Sequence, residues 1–251
     1  MAGRLATERR SKILEAIRLN GSVSVNDLAR DLDVSVMTIR RDLALLDREG
    51  LIERCHGGAV VQSEISYSAK RETNREIKEK IADVCAEMVR PGMQIYLDAG
   101  TTTWEIARRI RGMDSLLVLT NDVEIAEILL ESNVKIFMLG GQIQNETGSA
   151  WGYFATQMLE NFNLDLGFFG ASCIDEQLMI STPTTDKAFL KREAVRRCAK
   201  SVLAVDSGKF GNKAVIAVNR VEDYDILVTD RILTDSQREI LAAGGTEVIQ
   251  V

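Results

Sequence analysis

Apolar positions follow two different periods along this chain. In the first sixty residues they recur at helical spacing in short blocks. A helix from Thr7 to about Leu19 has Ile13, Leu14 and Ile17 on one side, and Asn20-Gly21 stops it. Ser24-x-x-Asp27 opens a second helix carrying Leu28 and Leu32, and Asp33-Val34-Ser35 forms a turn. Ser35 caps a third helix with Val36, Ile39, Leu43 and Leu46 on one face, which Arg48-Glu49-Gly50 ends. "LIERCHGGAVV" then reads as two short strands around Gly57-Gly58, a hairpin of the winged type. A helix over about Thr73 to Val89, with Ile77, Ile81, Val84, Cys85 and Met88 on one face, ends at Pro91-Gly92. The polar stretch 61–72 reads as a linker.

Beyond it the period changes. Apolar runs at 93–98, 116–120, 134–139, 165–171, 201–206 and 225–229, with an edge at 246–250, alternate with helical stretches at 103–111, 122–132, 151–162, 185–200 and 234–243. Near-continuous apolar strands alternating with helices predict an α/β fold, with a doubly wound, mostly parallel sheet covered on both faces. The predicted domains are therefore 1–60 and 73–251, joined by 61–72. In such sheets ligands bind at the carboxyl ends of strands.

Charge sharpens the division. Residues 1–60 hold 10 Lys and Arg against 9 Asp and Glu, a balance of +1, while 61–251 hold 21 against 28, a balance of −7. The overall −6 does not suggest a nucleic-acid binder, but a binding region need only present a local basic face. The 45% hydrophobic and 27% charged content is that of a globular protein. No apolar run is long enough to span a bilayer, and the N-terminus lacks a signal-peptide pattern, so a cytoplasmic location is expected. The cysteines Cys55, Cys85, Cys173 and Cys198 form no C-x-x-C pair and His56 is the only histidine, so neither a metal nor a cofactor is expected.

In a helix-turn-helix the third helix enters the major groove. Opposite its buried stripe lie Met37, Thr38 and Arg41, with Arg40 on the flank and Ser35 at the start. Arginine can fork onto guanine and a threonine methyl can touch thymine. Arg54 and His56 in the hairpin could reach a neighbouring phosphate or the minor groove. The same three helices could instead serve protein contact, with the arginines merely solvated.

In the second region "IYLDAGTTTWEIARRI" is a strand, a Gly-Thr turn and a helix. Gly100 allows close backbone approach, Thr101, Thr102 and Thr103 offer hydroxyls, and the helix start offers free N–H groups, together a seat for phosphate or simply a capped helix. Asp98, Asn121, Gly140, Gly141 and Gly170 fall at strand ends that would share one rim; Asp98 could accept sugar hydroxyls or the loop's own N–H groups, and Asn121 could cap the following helix or face the same pocket. Asp186, Lys191 and Lys209 add charge around the later strand ends.

"SVMTIRRDLALLDREGLIERCHGGAV", "IYLDAGTTT", "LTND", "LGG" and "VDSGKFG", in this order and spacing, resemble the DeoR family of bacterial transcriptional regulators. The likeness runs over essentially the whole chain. It implies a winged helix-turn-helix joined to a sugar-phosphate-sensing domain related in fold to ribose-5-phosphate isomerase. It also implies repression of a sugar-catabolic operon modulated by a phosphorylated intermediate, and a homo-oligomer, dimer or tetramer, working on double-stranded operator DNA with no membrane partner. Two positions depart from the family pattern: Lys187 stands where an acidic residue is common, with Asp186 beside it, and Gly208 stands where a serine is frequent. A sugar-phosphate isomerase-like enzyme, with Asp98 or Asp186 as acid or base, is the alternative from another class; the N-terminal winged helix argues against it. A phosphosugar-binding scaffold without DNA contact is weakened by the Met37–Arg41 face.

Overall fold

The structure is a computed structural model that describes residues 9–17, 22–48, 52–55, 58–61 and 67–251. The chain forms two compact units, Met1–Ser66 and Tyr67–Val251.

In the first unit, helix α1 (9–17) precedes strand β1 (Ser22–Ser24), α2 (Val25–Asp31), α3 (Val36–Arg48), β2 (Ile52–Cys55) and β3 (Gly58–Val61). Ser24 caps α2 by accepting from the N–H groups of Asn26 and Asp27, and the Ser35 hydroxyl accepts from Thr38 N–H at 3.1 Å at the start of α3. Ile13, Ile17, Leu28, Ile39, Leu43, Leu46 and Ile52 form the core. Val36, expected on that buried stripe, is instead exposed, because it begins the helix beyond the reach of α1 and α2. Antiparallel β2 and β3 make the expected hairpin, but β1 joins them in the order β1-β3-β2. Gly58 makes that third strand possible: a Cβ there would lie 2.0 Å from the carbonyl oxygen of Val23.

The second unit opens with α4 (Tyr67–Glu72), so the stretch expected to be all linker is helical in its second half. Tyr67 packs on apolar residues of the main core, which is why the helix holds. Next come α5 (Arg75–Ala86), β4 (Gln94–Leu97), α6 (Thr101–Ile110), β5 (Leu117–Thr120), α7 (Val123–Leu129) and β6 (Lys135–Met138). They are followed by β7 (Gln142–Gln144), β8 (Ser149–Trp151), α8 (Tyr153–Leu159), β9 (Leu164–Phe169), β10 (Cys173–Ile174) and β11 (Met179–Thr182). The last elements are α9 (Thr185–Arg197), β12 (Cys198–Ala204), β13 (Ile216–Arg220), β14 (Ile226–Thr229), α10 (Asp235–Gly244) and β15 (Glu247–Gln250). The seven expected strands form one parallel sheet in the order β15-β14-β12-β9-β4-β5-β6.

Strand alternation sends side chains to both faces. Ile95, Leu97, Val118 and Phe168 pack against α5, α6 and α7, whereas Tyr96, Leu119, Phe169 and Leu203 pack against α8, α9 and α10. From β4 the chain moves outward through β5 to β6; from β9 it moves the other way through β12 to β15. The adjacent strands β4 and β9 thus flank the switch in winding direction, where an open α/β sheet leaves a crevice at its carboxyl edge. The β7–β8 hairpin and the small antiparallel sheet β10-β11-β13 were not expected. Among the described residues no helix is long and apolar enough to cross a membrane.

Candidate functional site

At the switch point Asp98 follows the end of β4 and Gly170 the end of β9. The Asp98 carboxylate accepts from Gly170 N–H at 3.1 Å and from the Lys191 ammonium, which reaches over from α9. The same ammonium donates to the Gly170 carbonyl at 2.7 Å. Three expected residues therefore meet as one ion-paired cluster around the buried Asp98. Asp186, on the first turn of α9, is half-buried.

Thr101, Thr102 and Thr103 form the first turn of α6, whose N–H groups have no acceptor within the helix. Thr103 Oγ1 donates to Gly100 O at 2.8 Å. Thr101 and Thr102 are 8% and 7% exposed, and neither hydroxyl has a hydrogen-bond partner among the described residues. The loop before them is held by residues from neighbouring elements. Ala99 N–H donates to Asn121 Oδ1 and Gly100 N–H to Asp122 Oδ2, each at 3.0 Å. Gly100 O also accepts from Tyr67 Oη at 3.3 Å.

These bonds correct two expectations. Asn121, expected either to cap the next helix or to face the pocket, is not the cap of α7 and is engaged internally: its oxygen also accepts from Tyr96 Oη at 3.0 Å, its amide donates to Ala150 O at 3.1 Å, and it is buried. Its work is to position the loop. Gly100, expected to let the backbone come close to an anion, has its own N–H taken by Asp122. That residue, missed in the sequence reading of the site, also caps α7 through Glu124 N–H at 2.8 Å and Ile125 N–H at 3.2 Å. Burial pushes the Asp122 carboxyl up to about 7, against the pull of these N–H donors. Its visible sequence signal was that of an N-cap only.

Gly140 and Gly141 are exposed beyond β6. Gly141 has a φ of +140°, and a Cβ there would fall 2.3 Å from Trp151 O, so the close approach of β8 accounts for that glycine. Lys209 ends the short turn after β12, beside Asp206, which accepts from Asn74 Nδ2 at 2.8 Å and Gly208 N–H at 3.0 Å. Lys78 is a second residue that sequence reasoning passed over. The helix stripe was expected to bury Ile77, Val84 and Met88, but α5 is rotated so that these are half-buried and Lys78 is only 3% exposed. Its ammonium donates to Lys70 O. Burial first, then the charge of Lys209, pushes it down to about 8.

On the first unit, Met37 is 70% exposed and Arg40 and Arg41 are exposed on α3. Leaving a methionine in water beside two arginines suits a face that is covered in use. Arg40 and Arg41 have no ion pair among the described residues, whereas Arg9 is committed to Asp42 at 2.6 Å. A surface hollow beside the helix start is lined by Arg9, Arg10, Met37, Thr38, Arg41 and Leu45. Arg54 lies on β2, and His56 lies outside the described residues.

Comparison with known proteins agrees with this division. The family described as DeoR-like helix-turn-helix domain matches residues 9–64, and the DeoR C terminal sensor domain matches 73–231. A putative aga operon transcriptional repressor of Escherichia coli is 34% identical, covering 98% of this chain and 94% of that protein. The HTH-type transcriptional regulator GlpR of Haloferax volcanii is 37% identical, covering 97% of this chain and 98% of its own. Among solved structures, ribose 5-phosphate isomerase A of Methanocaldococcus jannaschii is 18% identical over 55% of each chain, with a TM-score of 0.41.

Proposed function

We infer the function from one premise: the chain belongs to the DeoR family of transcriptional regulators. It is a DNA-binding repressor whose operator affinity is modulated by a phosphorylated sugar, acting in the cytoplasm. The relatives above carry the names of regulators and not of enzymes. We assign DNA binding to residues 1–60 and effector sensing to 73–251. Met37, Thr38, Arg40 and Arg41 on α3 meet the major groove, and Ser35 sets the helix start.

The observation that carries the effector assignment is the first turn of α6. It presents three helix-terminal N–H groups and the unpartnered hydroxyls of Thr101 and Thr102, residues nine-tenths buried, at the carboxyl edge of a parallel sheet. A phosphate ester seated there places its sugar over the switch point, within reach of Asp98, Gly170 and Lys191, with Asp186 and Lys209 at the margins. A mobility-shift assay on the DNA upstream of the chain's own gene, run against a panel of phosphosugars, tests the whole reading. A shift altered by one phosphosugar and not by its dephosphorylated form supports it, and a protein that retards no upstream DNA overturns it. The protein works as a homo-oligomer held together by the second unit, since readers of this type occupy paired half-sites; a strictly monomeric particle in light scattering at micromolar concentration would refute that.

A further inference from the structure

Helices α8 and α9 lie side by side on one face of the main sheet, with Ala155, Leu159, Ala188, Leu190 and Ala194 turned into the core. Helix α8 leads into β9 and α9 into β12, two neighbouring parallel strands, so both helices run the same way and begin at the carboxyl edge. Their outer surface is aromatic where they begin. Tyr153, Phe154 and Phe189 are 72%, 74% and 60% exposed. The rings are nonetheless held in place. Tyr153 and Phe154 meet edge to face with centroids 5.8 Å apart. Arg192, which donates to Val218 O at 2.7 Å, sets its guanidinium carbon 5.8 Å from the centre of the Phe189 ring.

Charge is missing from α8, where two of the rings are. In a chain that is 27% charged, no charged residue falls between Glu146 and Glu160. A helix facing water carries charged and polar residues on its outer side. Aromatic enrichment with charge depletion is instead the mark of the core of a protein interface. The area suits a pair of chains. A fully buried aromatic side chain covers ~150–250 Å², so three rings exposed to this degree present roughly 300–500 Å². That is about half of the ~800 Å² each partner buries in a stable complex. The exposed Gln157, Glu160 and Arg196 surround the rings and complete the surface. A two-fold contact also matches charge. Helix α9 has a surplus of bases, while α8 has none and is followed by Glu160. Setting α8 against α9 of a copy brings these opposite signs together twice, once on each side of the axis.

We propose that the aromatic face formed by Tyr153, Phe154 and Phe189 is where a second copy of this chain docks, through a two-fold contact. This rests on the reading of the chain as a homo-oligomer and adds the surface that joins the copies. It also ties assembly to the candidate effector site. Lys191, two residues beyond Phe189 on α9, is the partner of Asp98 at the switch point. The helix that meets the copy is thus the one that reaches into the site.

Sedimentation velocity on the full chain at micromolar concentration tests this. The parent should sediment as a dimer or a larger even assembly. Phe154→Glu and Phe189→Glu should each halve the mass. Each should raise the dissociation constant of the contact about hundredfold or more, because a substitution enters a two-fold contact twice. Both side chains are exposed, so the far-UV circular dichroism of the variants should match the parent's and exclude misfolding. Leu130→Glu is the control. Leu130 is 72% exposed but follows α7, on the opposite face of the sheet, and this variant should keep the parent's mass. If the parent is oligomeric and either aromatic variant keeps its mass, this face is not the joint; the proposal fails and the homo-oligomer reading stands. Dissociation of Leu130→Glu to the same extent would also overturn it, since the effect would then not belong to this face. A parent that is monomeric throughout removes both.

Discussion

Replacing Lys191 by methionine should destabilise the second unit by about 3 kcal/mol. The ammonium it removes is the partner of Asp98, and the two side chains are 12% and 6% exposed. Breaking a buried pair by deleting one member costs ~3–5 kcal/mol, because the other charge is left uncompensated. Two features place this case at the low end. Gly170 N–H still donates to the orphaned carboxylate at 3.1 Å, and the lysine is not fully enclosed. The Gly170 carbonyl also loses a donor at 2.7 Å, which adds to the cost. In a unit of this size each kcal/mol lowers the midpoint by roughly 2–4 °C, so a fall of ~6–12 °C is expected. Urea titration and calorimetry read both quantities. Adding Asp98→Asn to the variant should recover most of the loss, since a neutral amide oxygen can accept from Gly170 N–H without carrying an unpaired charge. A cost for Lys191→Met below ~1 kcal/mol, the range of exposed pairs, would refute the account of a buried, mutually dependent pair. So would a double variant that loses the sum of the two single effects.

Three other outcomes follow from the same geometry. Thr102→Glu places a carboxylate where the phosphate ester is to sit, so the variant should retard operator DNA normally and ignore the phosphosugar; an unchanged response in the shift assay would reduce the loop to a helix cap. Arg41→Ala should weaken operator binding by ~1–3 kcal/mol if the guanidinium meets a base edge, and full affinity after alanine at both Arg40 and Arg41 would show that α3 is not the reading helix. Tyr67→Phe deletes the 3.3 Å bond to Gly100 O while keeping the ring. It should reduce the effect of the phosphosugar on operator affinity by about 0.5–1.5 kcal/mol and leave effector-free DNA binding alone; calorimetry and shift assays that find the parent's coupling would exclude α4 from the linkage.

The main sheet was legible because each parallel strand is buried on both faces and so appears as a short apolar run between helical stretches. Strand β1, Ser22–Ser24, gave no such signal: it is three residues long, mostly polar, and exists because β3 offers an edge that Gly58 lets it approach. The β7–β8 hairpin and the β10-β11-β13 sheet are similar, with strands of two to five residues and no sustained alternation. At the site, residue type revealed the helix-end threonines and the charged strand ends, but not which groups bind one another. Asn121 looks like a ligand residue until its bonds to Tyr96, Ala99 and Ala150 are seen. Lys78 looks solvated because helical period alone cannot give the rotation of α5 against the sheet; tertiary packing turned it inward.

The two halves of the chain make sense together if the effector acts on what holds α4. A ligand shifts an equilibrium only by the difference in its affinity for two states. Helix α4 is where the chain enters the second unit, and its contacts gather around the first turn of α6. Tyr67 Oη donates to Gly100 O, the Arg71 guanidinium lies 3.5 Å from the centre of the Trp104 ring, and Lys70 O accepts from Lys78. A dianion on the first turn of α6 therefore arrives next to the groups that fix α4. It would add charge close to Gly100 and Trp104. One neutral hydrogen bond counts for about 0.5–1.5 kcal/mol and one cation–π contact for about 0.5–2. Their combined change matches the ~1–3 kcal/mol typical of coupling between two binding sites. That is enough to alter operator occupancy by one to two orders of magnitude, and small beside the stability of a domain, so the signal needs no unfolding of the sheet that carries the site. Reciprocity then requires operator DNA to change the affinity for the phosphosugar by the same factor.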